Sequence, residues 1–216
     1  MTRALLLLAT TICAAGCGGA DPPPAQAPAS PADARLAQQS TLAVADLPSG
    51  LTEGDRNGIE SSECEGFRIA ERDKSARGDT PRFHGGTATD VLNTVYLFPD
   101  EATATAVVEA MASEPTGRCM GDALAHAVAG DGVEIDEITV QPVKDKLDES
   151  LAFSRMTIAL SGDDGSATMF VDLVAFRAGR GVSVLVFVQG HEPFDNAVAK
   201  QVSEASAQKL SALTGK

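Results

Sequence analysis

The sequence predicts an α+β fold: an antiparallel sheet of about five to six strands, covered by helices and closed by a C-terminal helix. Three observations predict it. The run VSVLVFVQ at 182–189 is apolar on both faces apart from Ser183, as in a strand at the centre of a sheet. The β-rich runs 151–160 and 167–177 flank SGDDGS, and Asp-Gly between two such runs is a strong hairpin signal. Beyond them, 193–213 carries Phe194, Val198, Val202, Ala205, Leu210 and Leu213 along one side, behind a proline suited to a first helical turn.

The remaining elements follow in order. Residues 35–45 (RLAQQSTLAVA) predict a helix anchored by Leu36, Ala43 and Val44 and stopped by Leu47-Pro48-Ser49-Gly50. Residues 66–72 read as a short strand, and Asp79-Thr80-Pro81 as a turn. TATDVLNTVYLF at 87–98 is rich in β-branched and aromatic residues and predicts a strand. Its Val91, Val95 and Leu97 share one side, and Leu92, Tyr96 and Phe98 the other. Pro99-Asp100-Glu101 opens a helix whose early acids complement its dipole, with Ala104, Val107, Val108 and Met111 as the apolar stripe. That helix is expected to end near Pro115-Thr116-Gly117, with a short helix after Cys119 through Leu124 and Val128. Residues 133–140 alternate, placing Val133, Ile135, Glu137 and Thr139 on one face and Glu134, Asp136, Ile138 and Val140 on the other. Arg177-Ala178-Gly179-Arg180-Gly181 makes a second tight turn.

Composition and the N-terminus bound the function. The formal charge of −13, from 30 acidic and 17 basic residues, repels phosphates and anionic head groups, so no nucleic acid is expected as a partner. Arg3 precedes an apolar stretch of about a dozen residues, where spanning a bilayer takes roughly 20. Charge, short apolar core and small residues make an export signal over 1–16. Ala14-Ala15-Gly16-Cys17 resembles the lipobox of bacterial lipoproteins, in which the cysteine thiol receives diacylglycerol; Ala14 stands where Leu is usual. The bulky Ile12 before Cys13 assigns lipidation, as on palmitate-bearing lipoproteins, to Cys17, with ordinary secretion and cleavage near Ala20 as the alternative. Residues 17–34, rich in Pro, Ala and Gly, cannot build a core and read as a tether. Residues 35–216 then form a single domain. The expected address is the outer face of the cytoplasmic membrane, with the lipid on Cys17 as the membrane contact.

Cys13 leaves with the signal and Cys17 is acylated, which leaves Cys64 and Cys119. Outside the cytoplasm these two are expected to form a disulfide. It closes a loop of about 55 residues, worth roughly 3 to 4 kcal/mol by chain entropy. A thiolate metal site is the alternative, but neither cysteine has a partner at ligand spacing.

Four stretches resemble actinobacterial cell-envelope lipoproteins related to the PknH-like extracellular sensor domain of receptor kinases, and LpqN-type lipoproteins. They are Ala45-Asp46-Leu47-Pro48-Ser49-Gly50; Val95-Tyr96-Leu97-Phe98-Pro99-Asp100-Glu101-Ala102; Asp148-Glu149-Ser150-Leu151-Ala152-Phe153; and Phe176-Arg177-Ala178-Gly179-Arg180-Gly181-Val182. The resemblance covers about 170 residues from Arg35 onward. It implies a sensor, a ligand-binding module or an interaction domain. The kinase sensor has two disulfides, whereas this chain can form one.

No nucleophile-elbow, zincin, Walker or dinucleotide motif occurs. His84, His126 and His191 lie on different elements. Asp131, Glu134, Asp136 and Glu137 look like a cation cluster, yet strand alternation sends them to both faces. Asp163-Asp164-Gly165 lacks the spacing and closing Glu of a calcium loop. No cofactor and no metal is expected. The expectation is a non-enzymatic, sensor-like module that binds a small apolar ligand in a groove lined by Phe170, Val174 and Phe176. The alternative is an interaction or scaffold module for another envelope protein, marked by an exposed apolar patch; an enzyme built around His84 or His191 is a third reading.

Overall fold

A computed structural model describes residues 30–54, 63–85, 89–128, 133–142, 151–162 and 165–214. The signal segment, Cys17 and all but the end of the tether lie outside the described residues, as do Asp131, Asp163 and Asp164. The elements are α1 (Pro31–Gln39), a 3-10 turn (Val44–Asp46), β1 (Thr52–Glu53), α2 (Glu65–Asp73), β2 (Ala76–Asp79), β3 (Phe83–Gly85), β4 (Thr89–Leu97), α3 (Glu101–Met111) and α4 (Glu114–Val128). There follow β5 (Val133–Pro142), β6 (Leu151–Gly162), β7 (Gly165–Ala178), β8 (Gly181–Gly190) and α5 (Asn196–Thr214).

The strands form one 8-stranded sheet in the order β1-β3-β4-β8-β7-β6-β5, with β2 also paired to β4, and every pairing is antiparallel. The α+β class and the closing helix are as the sequence predicts, with more strands. β8 lies at the centre because both its faces are apolar. Val182, Val184 and Val186 pack under the layer of α2, α3 and α4, while Leu185 and Phe187 pack under α5. Helices thus cover the sheet on both sides around β4, β8 and β7.

Four elements depart from expectation, each for a local reason. The first helix begins at Pro31 and ends at Gln39, upstream of 35–45. Ser30 caps it through the Ala32 and Asp33 amides, and the Leu42 amide goes to Asn93 Oδ1 at 3.0 Å instead of continuing the helix. Residues 66–72 lie in helix α2, not a strand: Phe67 and Ala70 are buried one turn apart, and a Cβ at Gly66 would stand 3.0 Å from the Met111 backbone. The break between the two expected helices falls earlier, between Met111 and Glu114, so Pro115 and Gly117 lie in the first turns of the 15-residue α4. Proline is tolerated there, and the glycines seat the helix on the sheet. A Cβ at Gly117 or Gly121 would stand 2.8 Å from Val140 or Ile138. In β5 the register slips between Ile135 and Glu137, so strict alternation fails and Ile135, Ile138 and Val140 all reach one core.

Candidate functional site

At the end of the sheet where β8 gives way to α5, Gln189 pairs with Thr89 of β4. Here the segment 48–51, the strand ends and the segment 192–198 enclose a cleft of about 480 Å³. Its apolar wall is Leu51, Phe194 and Val198. Phe194 is 5% exposed and its ring centroid lies 4.8 Å from that of Phe187, which fixes the inner wall to the core.

Local sequence explains each wall. Pro48 and Gly50, the latter at φ 101°, turn the chain out of the 3-10 segment and back into β1. Gly85 lets that turn lie against β3, since a Cβ there would meet the Gly50 carbonyl and Leu51 Cδ2 at 2.9 Å. On the other side His191 adopts a left-handed φ of 75°, its amide donating to the Thr168 carbonyl at 3.0 Å. Pro193 leads into α5, and Asp195 Oδ1 accepts from the Ala197 and Val198 amides at 2.7 and 3.3 Å.

A second cavity of about 430 Å³ adjoins it, sharing Gly50, Gly85 and Thr89, and holds Arg82, His84 and Asp90. Asp90 lies 3.2 Å from His84 Nδ1 and 3.7 Å from Arg82 Nη1. His84 Nε2 is turned against Gly54, where a Cβ would stand 2.5 Å away. The Thr52 hydroxyl donates to the His84 carbonyl at 3.3 Å.

Phe170, Val174 and Phe176 share the β7 face that looks toward α5. Val174 and Phe176, each 6% exposed, pack with Leu185, Phe187, Val202 and Leu210. Phe170 is half-buried between Thr157 and Gln189 of the flanking strands. The cleft opens at the end of this same layer, but none of the three lines it. The residues that do line it were missed; the signals were the Pro/Gly turns PSGL and GHEPFD on either side of the strand ends.

Cys64 and Cys119 are joined in a disulfide with their Cα atoms 5.6 Å apart, tying the start of α2 to α4 on the opposite face of the sheet. His126 and His191 are exposed on separate elements. Among the described residues no group of three His, Cys, Asp or Glu can hold a metal. Glu134, Asp136 and Glu137 are exposed, with Asp136 accepting from the Ser161 hydroxyl at 2.9 Å. The exposed large apolar side chains of the described residues, Val44, Val133 and Leu213, stand on three different elements. Burial, with Glu71 and Asp79 nearby, pushes the Tyr96 hydroxyl above its ordinary range. The hydrogen bond to Asp172 raises the Arg155 guanidinium. No described helix is long and apolar enough to cross a membrane.

No protein-family model matches the chain, and no curated protein matches it. Among solved structures it is similar to the extracellular domain of PknH from Mycobacterium tuberculosis, at 11% identity and a TM-score of 0.48, covering 85% of this chain and 97% of that chain.

Proposed function

We propose that this protein is an extracytoplasmic, sensor-like lipoprotein, held at the outer face of the cytoplasmic membrane by lipid on Cys17, whose domain binds a small ligand without catalysis. The observation that carries the binding reading is the cleft beside Phe194. Its volume of about 480 Å³ falls within the ordinary range for small-molecule sites, and apolar walls meet a few polar groups there. The Cys64–Cys119 bond supports the address, since disulfides persist in oxidising compartments. The lipobox-like Ala15-Gly16-Cys17 supports the anchor. A non-enzymatic role is favoured because His84 turns Nε2, the nitrogen not held by Asp90, against Gly54, and the nearby Thr52 hydroxyl is committed to a carbonyl.

The test is native mass spectrometry of the protein purified from its own membrane. The expected spectrum carries a diacylglyceryl mass on Cys17, lacks the two hydrogens of the bridged thiols, and retains a small molecule that a cleft-filling Val198→Phe variant loses. An unmodified Cys17 overturns the anchor. A molecule retained equally by the variant overturns the cleft as its site.

A further inference from the structure

The cleft's chemistry narrows its ligand, an inference that rests on the binding reading above. We infer that the cleft takes an organic cation, an ammonium group carried on a compact apolar body. Among the described residues that line it none is basic, and the ionisable ones are Glu192 and Asp195. Asp195 spends one oxygen on the α5 amides, whereas Glu192 is an exposed rim carboxylate. Among the described residues of the surrounding elements, Lys209 pairs with Asp46 and Arg155 with Asp172 and Asn196, while the exposed Lys200 reaches Glu204 only at 3.8 Å. Arg82 and His84 belong to the adjoining cavity, where both face Asp90. An anion entering the cleft would meet like charge and no basic side chain among the described lining residues. A cation would meet Glu192 while its apolar body covers Leu51, Phe194 and Val198. The formal charge of −13 adds long-range attraction of the same sign.

The test titrates the intact protein with hexyltrimethylammonium, hexanol and hexanoate by calorimetry, at low and high salt. The ammonium is expected to bind roughly two- to five-fold more tightly than hexanol at low salt, the range of one exposed ion contact. Hexanoate is expected to bind most weakly, and the differences to close at about 1 M salt. Glu192→Gln should bring the ammonium down to hexanol without changing hexanol itself. Val198→Phe should weaken all three; Ser49→Trp, at an exposed position on the opposite wall, does the same where the first variant melts early. Hexanol or hexanoate binding as tightly as the ammonium, or an ammonium preference that survives Glu192→Gln, overturns the cation assignment. If such probes still lose affinity in the filled variants, the ligand cleft itself stands. Affinities unmoved by either filled variant, or no binding by any probe, overturn the cleft.

Discussion

Asn93 on β4 and Ser206 on α5 are joined through a single hydroxyl, that of Ser183 on β8. The Asn93 amide donates to Ser183 Oγ at 2.8 Å, and Ser183 Oγ lies 2.9 Å from Ser206 Oγ. Asn93 also donates to the Val184 carbonyl at 3.1 Å and accepts the Leu42 amide at 3.0 Å. All three side chains are buried beside the apolar packing of α5 on the sheet. One asparagine therefore sets both the path of the segment after α1 and the seat of α5, since a one-turn slip of the helix would strand the hydroxyls.

Replacing Asn93 with Leu is expected to cost about 2 to 4 kcal/mol, because it leaves the buried Leu42 amide without its acceptor and the Ser183 hydroxyl with Ser206 alone. Ser206→Ala removes one link and should cost about 1 kcal/mol. Urea unfolding of both single variants and the double variant checks the chain. The double variant should lose at least about 0.5 kcal/mol less than the sum. Strict additivity would mean that the two sites act independently.

The Cys64–Cys119 bond should matter as much, through a different state of the chain. It spans a sequence separation of 55 and restrains the unfolded chain. Its loss in a Cys64→Ser, Cys119→Ser variant is expected to cost about 4 kcal/mol by chain entropy. The bond ties α2 to α4 on the face away from the cleft, so any ligand affinity measured on the folded variant should be unchanged. A melting midpoint equal to the parent's would sink this expectation.

Glu71 gives stability a pH dependence with a definite sign. Burial alone would raise its carboxyl, but the hydrogen bond from Lys74 and the charges of Arg77 and Lys74 hold it below the usual range. The folded state therefore binds the proton less well than the unfolded state. The contribution is complete above the ordinary glutamate value of about 4.3 and is lost as pH falls through the lower folded value. Glu71→Gln is expected to destabilise by about 1 kcal/mol at pH 7 and by progressively less below about pH 4. Denaturant midpoints at a series of pH values check it; a gap between variant and parent that widens on acidification contradicts it.

The sheet was more legible than the helices. VSVLVFVQ and the β6–β7 hairpin carry their pairing in local pattern, so β8 falls at the centre and the hairpin forms as expected, its ladder running on to Gly162 and Gly165 inside the expected turn. The glycines misled because their role is tertiary. Gly66 and Gly117 look like helix breakers in a window of ten residues, and only the partners Met111 and Val140 reveal them as close-packing positions. The slip at Asp136 depends on the pairing of β5 with β6 and has no signature in β5 alone. Phe170, Val174 and Phe176 read as a groove between helix and sheet; α5 lies over the last two, and the cleft lies where that helix stops short of the β4 and β8 ends. Its walls come from segments more than a hundred residues apart in sequence, such as Leu51 and Phe194, which no local pattern joins.

The start of α1 and the cleft lie at opposite ends of β8, which predicts how the domain would stand on a membrane under the proposed anchor. Asp33, in the first turn of α1, pairs with Arg180 in the β7–β8 turn, beside Gly181 at the start of β8. The cleft takes Gln189 near the end of that strand, about 27 Å away at roughly 3.4 Å per residue. The chain therefore enters the domain at the end far from Phe194, and under the proposed anchor the 13 residues from Cys17 to Ser30 would reach about 40 Å at a polyproline rise of roughly 3.1 Å per residue. With the acylated protein in vesicles carrying a lipid-borne quencher, a fluorophore at Ala34→Cys should be quenched more strongly than one at Ser49→Cys, both positions being exposed. Ligands would then enter from the aqueous side rather than from the bilayer. Stronger quenching at position 49 would place the cleft at the membrane and reverse that route.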